Sequence, residues 1–448
     1  MVGLGRFGGG VGAARWLVER GARVTVTDLS DPDSLRSSLA RIEEHVESGR
    51  IELVLGSHDG IDPSAYDLIV PSPAVPVAAP LLETARRAGV RVVGEVELYL
   101  ERTVARVVAL TGTQGKSSTA TFCGQLLRGA AIDGRVGGNI GGSLLEELAE
   151  ETADTVRVLE LSSYQLEALT DSPPRVACAV AITNVLEDHL DRHGDVARYA
   201  AAKARIVELC RTDGRALLPH AGPLGSWEPE NVAVDRHGPE EAWCVTESRV
   251  HLNGTTLDLA DSPLPRFQGW NVLIAGWLAT QAGAASNSLV RTLPELRAPA
   301  HRFARLPRFG PRSLEIIDNG VATTPDATLG VLADVPRGAT VLIGGHSKGL
   351  DWTPLGEALA HRGDRVVAFG AAAEEVHRCL EALDVPCRRH ASLGEAVEDA
   401  LEGSPASASV LFSPSCSSFD AYSNFQERAD EFQALVQAAL HAHPASST

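Results

Sequence analysis

Short apolar runs rich in Val, Ile, Leu and Ala alternate with longer amphipathic stretches along almost the whole chain. The runs are bounded by Gly, Pro and Asp and read as strands, the stretches between them as helices. That alternation predicts parallel α/β architecture. Strands are expected at residues 23–27, 51–55, 68–70 and 90–93 in a first segment, 1–103. A second segment, 104–299, opens with a strand at 104–110. A third, 300–448, repeats the rhythm at 314–317, 340–343, 365–369 and 410–412. Polar stretches such as 226–241 are expected to be loops or short hairpins within the middle segment, and the tail 445–448 is expected to fray. No short-period repeat interrupts this reading.

A chain of 448 residues supports two to four domains with sizeable cores, and 44% hydrophobic with 22% charged residues describes an ordinary globular protein. No apolar run reaches the length of a membrane span, and no signal-peptide layout opens the chain. The seven cysteines are scattered without a C-x-x-C pair, so neither a disulfide framework nor a zinc site is expected, and a reducing cytoplasm fits. A net charge of −18 argues against nucleic-acid binding. Of 40 basic residues only Lys116, Lys203 and Lys348 are lysine, as a coding bias toward arginine would produce. Surviving lysines then mark places where a guanidinium cannot substitute for an amine.

Gly3-Leu4-Gly5-Arg6-Phe7-Gly8 matches G-x-G-x-x-G, and Asp28 follows at the end of an expected strand. Alone, this predicts a dinucleotide site and an NAD-dependent oxidoreductase. A nucleotide-diphosphate site is equally consistent, and a purely structural strand–helix turn is the plain alternative. Only Met1 and Val2 stand where a whole strand is due, so either that strand is abbreviated or the start lies upstream.

The most informative stretch is the apolar run 107–110 followed by Thr111-Gly112-Thr113-Gln114-Gly115-Lys116-Ser117-Ser118 and a helical pattern over 119–127. Backbone N–H groups of such a loop can wrap a phosphate, Lys116 can neutralise its oxygens and Ser117 can ligate Mg²⁺. The spacing is G-x-x-G-K-S, two residues short of the general phosphate loop. A glycine turn with a surface lysine is the competing reading, and the scarcity of lysine weighs against it. Downstream, Glu160 interrupts an apolar strand. A buried lone carboxylate is costly unless paired or metal-bound, so Glu160 is a candidate Mg²⁺ ligand, against the plain reading of a strand-end Glu. The polar cluster Asn184 to Asp191, with His189, leaves a strand at the end where open α/β sheets place their sites. Lys203 lies in an alanine-rich helical segment two positions from Arg205, where an arbitrary cation would also be Arg.

Together these motifs resemble the Mur ligase family, most closely its glutamate-adding branch, over essentially the whole chain. Residues 111–118 resemble the family's short T-G-T-N-G-K-S/T-T loop, with Gln114 for Asn. Residues 138–141 resemble its G-N-I-G, 159–167 its L-E-L-S-S-F-Q-L-E, 184–191 its N-x-x-x-D-H-x-D, and 199–203 its segment bearing a carbamylated lysine. Ser72-Pro73-Ala74 resembles S-P-G, and His301-Arg302-Phe303 resembles H-R-F. Residues 413–428 resemble S-P-A-C-A-S…N-F-E-x-R.

The resemblance implies three domains: a Rossmann-like UDP-binding domain at 1–103, a central phosphate-loop ATPase domain with a parallel sheet at 104–299, and a Rossmann-like glutamate-binding domain at 300–448. It implies ATP and two Mg²⁺ as cofactors, and UDP-N-acetylmuramoyl-L-alanine and glutamate as partners. The product would be an amide formed through an acyl phosphate in peptidoglycan precursor synthesis. Gly112 to Ser118, with Lys116, would hold ATP phosphates; Asn271, Arg302 and Asp318 would contact the nucleotide. One Mg²⁺ would sit on Ser117 and Glu160, the second on His189 and a carbamate of Lys203. Gly5, Asp28 and Ser72 would hold the UDP portion, and Asn139 would face the phosphates or the uridylated substrate. Lys348 and Ser418 would contact glutamate. A cytoplasmic monomer is expected. The chain departs from the D-glutamate branch at 318–325, where D-S-K-A-T-N has lost its lysine and its Asn has become Thr324. It departs again at Gly269-Trp270-Asn271, where a His is lost. The wording at 322–325 and 349–352 is closer to a branch that adds L-glutamate, so both isomers stay open with a lean to L. An NAD-dependent oxidoreductase would leave Lys116, Glu160 and Lys203 unexplained. A catalytically silent nucleotide-binding protein would not be expected to keep those lysines and His189.

Overall fold

The structure, a computed structural model, describes residues 1–5, 9–252, 254–310, 313–404 and 409–442. Arg6, Phe7 and Gly8 of the glycine fingerprint and the tail expected to fray lie outside these. The chain forms two compact units, Met1–Pro263 with Gln268–Leu296, and Leu264–Phe267 with Arg297–Thr448.

The first unit begins with two small parallel pairings. Strand Val24–Asp28 pairs with Ile51–Leu55, and Leu68–Ile69 with Arg91–Val92. Val2 bridges both Thr27 and Pro71. At the place of the strand expected before the glycines, Val2 thus joins the two pairs.

A nine-stranded sheet follows. From one edge its order is Thr255–Asp258, Arg249–Leu252, Trp243–Thr246, Ala233–His237, Cys210–Pro219, Ala177–Ile182, Arg106–Thr111, Thr155–Glu160 and Asp133–Gly138. The strands from Ala233–His237 to Asp133–Gly138 run parallel. The interior strand Arg106–Thr111 is buried on both faces beyond Arg106, which is why it reads as a continuous apolar run rather than an alternating one. Helix Lys116–Gly129 packs against helix Gly269–Gln281, which is apolar nearly all round and correspondingly buried. The stretch 226–241 differs from the expected loop or hairpin. It supplies strand Ala233–His237, which extends the sheet in parallel and is fixed by Asp235 accepting from Arg215 (3.0 and 2.6 Å) and Trp277 (3.0 Å). Its alternating charges hid it from a reading based on apolar runs.

The second unit holds a six-stranded sheet, ordered Ala304–Phe309, Leu314–Asp318, Ser409–Ser415, Thr340–Gly344, Arg365–Phe369 and Cys387–His390. All neighbours are parallel except the first pair. The four expected strands are the four central ones, with apolar cores on both faces. The two edges, RLPRF-like and CRRH in sequence, are too polar to announce themselves. Among the described residues no helix is long and apolar enough to cross a membrane. The α/β class with mostly parallel sheets is as the sequence implied.

Candidate active site

The site grows out of the C-terminal end of the first unit's large sheet. Strand Arg106–Thr111 ends in the loop 112–115, and helix Lys116–Gly129 starts at once. Gly115 has φ +81°, a conformation that favours glycine, and a Cβ there would strike the Asn271 side chain. The loop is braced from the neighbouring strand: Thr183 Oγ1 donates to Gln114 O (2.7 Å), Gln114 N to Asn184 Oδ1 (2.9 Å), and Thr113 N to Asn184 O (3.0 Å). Asn271 reaches the same place from the other side, accepting from Thr119 Oγ1 at 3.2 Å and donating to Gln268 at 2.6 Å.

Two of the three lysines converge here. Lys116 Nζ donates to Gly112 O and Thr113 O, both at 2.9 Å. Lys203 Nζ donates to the same Gly112 oxygen at 2.7 Å, from a helix 91 residues further along the chain. Lys203 is only 1% exposed, and its ammonium lies 4.3 Å from the centre of the Tyr199 ring. Burial, reinforced by the nearby Lys116 charge and opposed by Asp188, pushes its pKa down to about 7. Tyr199 and Asp188 were not singled out as partners of Lys203 from sequence. The i,i+4 spacing of Tyr199 and Lys203 on one helix was the available signal for the first.

Glu160 closes strand Thr155–Glu160, and pairing with Leu110 sets it beside the start of the phosphate loop. It is 1% exposed; Oε1 accepts from Asn139 Nδ2 at 3.2 Å, while Oε2 is buried without a hydrogen-bond partner. An orphaned, buried carboxylate oxygen at this position fits a cation ligand. His189 caps a short helix with φ +52°, and its ring is half exposed. Its Nδ1 lies 3.4 Å from the Tyr164 hydroxyl and its Nε2 3.6 Å from Asp188. Tyr164 lies tilted and Tyr199 edge-on against its ring, and His193 packs in turn against both tyrosines.

The glycine-rich start is organised by Asp28. Its Oδ2 accepts from Leu4 N (2.8 Å) and Gly5 N (3.2 Å), and Oδ1 accepts from Ser30 N (2.8 Å). Burial alone would raise this carboxyl, but the backbone donors outweigh it and hold it below its ordinary value. Ser72 lies against Gly3, and its N–H donates to Val2 O at 2.8 Å. Arg192, three residues past His189, donates to Ala74 O and Val75 O (3.4 and 3.3 Å), tying the histidine loop to the Ser72 loop.

In the second unit the Asp318 carboxylate is fully buried. It accepts from His301 (2.7 Å), Gln433 (2.6 Å) and Gly320 N (2.9 Å). Arg302 follows His301 directly in sequence. Lys348 Nζ donates to Thr323 Oγ1 at 3.4 Å, and Ser418 is buried at the end of the neighbouring loop.

Fold and site together define an α/β enzyme of the phosphate-loop class. Residues 1–94 match the "Mur ligase MurD-like, N-terminal domain" and residues 110–274 the "Mur ligase middle domain". The chain belongs to the Mur ligase family. A relative from Geobacter metallireducens, UDP-N-acetylmuramoylalanine–D-glutamate ligase, is 35% identical over 98% of this chain and 96% of its own. One of the same name from Solibacter usitatus is 32% identical over 95% of each. Among solved structures, UDP-N-acetylmuramate-alanine ligase from Thermotoga maritima shares the fold with a TM-score of 0.63 at 19% identity, covering 98% of both chains. MurF ligase from the same organism, solved in complex with ADP, gives 0.58 at 17% identity over 85% of this chain and 99% of its own.

Proposed function

We propose that this protein is an ATP-dependent ligase that joins glutamate to the alanyl carboxylate of UDP-N-acetylmuramoyl-L-alanine in peptidoglycan precursor synthesis. The observation that carries this reading is the meeting of Lys116 and Lys203 at the Gly112 carbonyl. A phosphate loop alone needs only the first lysine. A second one, buried with its pKa lowered to about 7, has a neutral amine available to condense with CO₂, losing a proton and becoming an anionic carbamate. No arginine can do this at neutral pH.

The loop 112–118 with Lys116 would hold the ATP phosphates. An alanyl carboxylate oxygen attacks the γ-phosphorus and ADP leaves, giving an acyl phosphate. The glutamate amine then adds to the acyl carbon and loses a proton, and the tetrahedral adduct collapses to amide and phosphate. Magnesium, when bound, supplies positive charge to the phosphate oxygens. Ser117 and Glu160 would hold one ion, and the orphaned Glu160 oxygen supports that role. His189 and the Lys203 carbamate would hold the other.

Gly5, Asp28 and Ser72 would receive the UDP portion, with Asp28 shaping the glycine turn through backbone amides. Asn139, on Glu160, would face the phosphates or the sugar nucleotide, and Asn271 and Arg302 the nucleotide. Asp318, whose oxygens are committed to His301, Gln433 and Gly320, would act by holding His301 and so its neighbour Arg302 in place. Lys348 and Ser418 would take the glutamate carboxylates.

The relatives carry D-glutamate in their names, but the changes at 318–325 and 349–352 fall around Lys348 and Thr323, and we favour L-glutamate. Phosphate release should require UDP-N-acetylmuramoyl-L-alanine, glutamate and Mg-ATP together. Supplying L- and D-glutamate side by side reads the isomer, with faster turnover of L expected. NADH binding without phosphate release under those conditions would sink the ligase reading. Activity retained in Lys203→Arg without added bicarbonate or a small acid would refute the carbamate.

A further inference from the structure

Two loops of the second unit are laced together beside Lys348. Strand Thr340–Gly344 continues through Gly345 and His346 toward Lys348, and strand Ser409–Ser415 continues to Ser418. His346 and Ser417 exchange backbone hydrogen bonds of 2.8 and 3.0 Å. Against this crossing lies the side chain of Arg428, from the first turn of helix Phe425–Ala442. It is 0% exposed. Nη1 donates to Gly344 O and Ser417 O, both at 3.1 Å, and Nη2 to Cys416 O at 3.0 Å. Nε has no partner. Gly345 permits the approach: its φ is +127°, and a Cβ there would strike Ser417 O and crowd the Arg428 guanidinium.

All the acceptors are neutral. Among the described residues no carboxylate lies within ion-pair distance of Arg428, whereas the equally buried Arg157 of the first unit is met by Glu151 and Glu147. Two acids stand further off, and the charge of Asp420 acts on Arg428 without a direct contact. Asp420 accepts from Ala371 N at 3.2 Å, and Glu375 accepts from Ser347 Oγ (2.8 Å) and Trp352 Nε1 (3.2 Å). A buried, unpaired guanidinium is costly, and the first turn of a helix is where a cation is least favoured. Burial pulls its pKa down to about 10. The charges of Arg428, Glu375, Asp420 and Lys348 all act on the buried Cys416 thiol, so the two cations and the two acids share one neighbourhood.

We propose that Arg428 is a positioning and specificity residue: buried without an ion-pair partner among the described residues, it fixes both loops of the Lys348–Ser418 pocket and adds a cationic field that favours an amino acid with an anionic side chain. This inference rests on the reading of that pocket as the glutamate site. Arg428 does so without touching the amino acid, by fixing both loops through their carbonyls and by a field that solvent screens poorly.

The test compares glutamate with its neutral isostere glutamine, as the ratio of kcat/KM values, in the full-length wild type, Arg428→Lys and Arg428→Gln. In Arg428→Gln the preference for glutamate should fall by about tenfold or more, with the KM for ATP unchanged; tenfold corresponds to about 1.4 kcal/mol. Arg428→Lys should keep the preference while losing some kcat through loosened loops. An unchanged ratio in Arg428→Gln overturns the proposal, as does an equal fall in both variants, because either outcome leaves the residue a purely structural brace. Where Arg428→Gln does not fold, the wild type decides. A ratio that holds from low to high salt supports a buried charge, and one that collapses assigns recognition to exposed Lys348 alone and overturns the inference. Wild-type ligation of glutamate is the reference arm. Its absence removes the functional reading and this inference with it, whereas ligation with an unchanged ratio in Arg428→Gln removes the inference alone.

Discussion

Replacing Lys203 by methionine should make the protein more stable and abolish ligation. The ammonium is 1% exposed and its pKa is lowered from 10.5 to about 7, chiefly by burial. A base whose folded pKa is depressed binds more protons unfolded than folded, so it destabilises the fold at low pH and the penalty fades as pH rises toward 10.5. With those two values the penalty is about 4 kcal/mol at pH 7 and about 1.5 kcal/mol at pH 9.5. Methionine also forfeits the 2.7 Å bond to Gly112 O, a loss of about 1 kcal/mol. The variant should therefore gain about 3 kcal/mol at pH 7, and this advantage should nearly vanish at pH 9.5. Urea unfolding of both proteins in CO₂-free buffer at the two pH values measures the difference directly. Comparing the pair at each pH cancels the titration of the groups that the substitution does not touch. A variant less stable than wild type at pH 7, or a gap that does not narrow with pH, would refute the claim that burial lowers this lysine's pKa at a stability cost. Stabilisation together with loss of ligation is the expected signature of a residue retained for chemistry.

Three further outcomes follow from the same structure. Glu151 accepts from Arg157 Nε (2.9 Å) and Nη2 (2.5 Å), Tyr99 (2.8 Å) and Thr103 (2.6 Å), so Glu151→Ala should cost about 1.5–3 kcal/mol by leaving the buried guanidinium with Glu147 alone, read by urea unfolding. Glu160→Gln should leave the apo protein as stable as wild type or more so, because Oε2 has no partner to lose, while abolishing the rise in Tm that Mg-ATP gives; a retained shift would remove Glu160 from the cation site. His301 has its pKa raised, first by its bond to Asp318. Its contribution is complete below the unfolded value of about 6.5 and is lost as pH rises through the folded value, so wild-type stability should decline over that window more than that of His301→Asn.

Much of this was legible in the chain. The four central strands of the second unit's sheet and the interior strand before the phosphate loop are apolar runs, because parallel strands covered on both faces need no polar alternation. The loop 111–118 was legible because it is a local string of small residues ending in Gly-Lys-Ser-Ser. Strand Ala233–His237 was not. Its Asp235 is paired with Arg215 and bonded by Trp277, and its Arg236 is paired with Glu228 and bonded to backbone carbonyls, partners that no local pattern names. Edge strand Cys387–His390 escaped for the same reason.

Local sequence thus determined the apolar strands buried on both faces, the glycine-rich loop 111–118 and which three amines survived among arginines, since each depends on neighbours in the chain. The tertiary structure alone decided what surrounds those groups. It brought Lys203 to the carbonyl that Lys116 already holds, buried it until its proton became easy to lose, left one oxygen of Glu160 without a partner, and consumed the oxygens of Asp28 and Asp318 in backbone and side-chain bonds. Desolvation and charge coupling depend on what is close in space, and parallel-sheet topology makes neighbours of residues that the sequence keeps far apart.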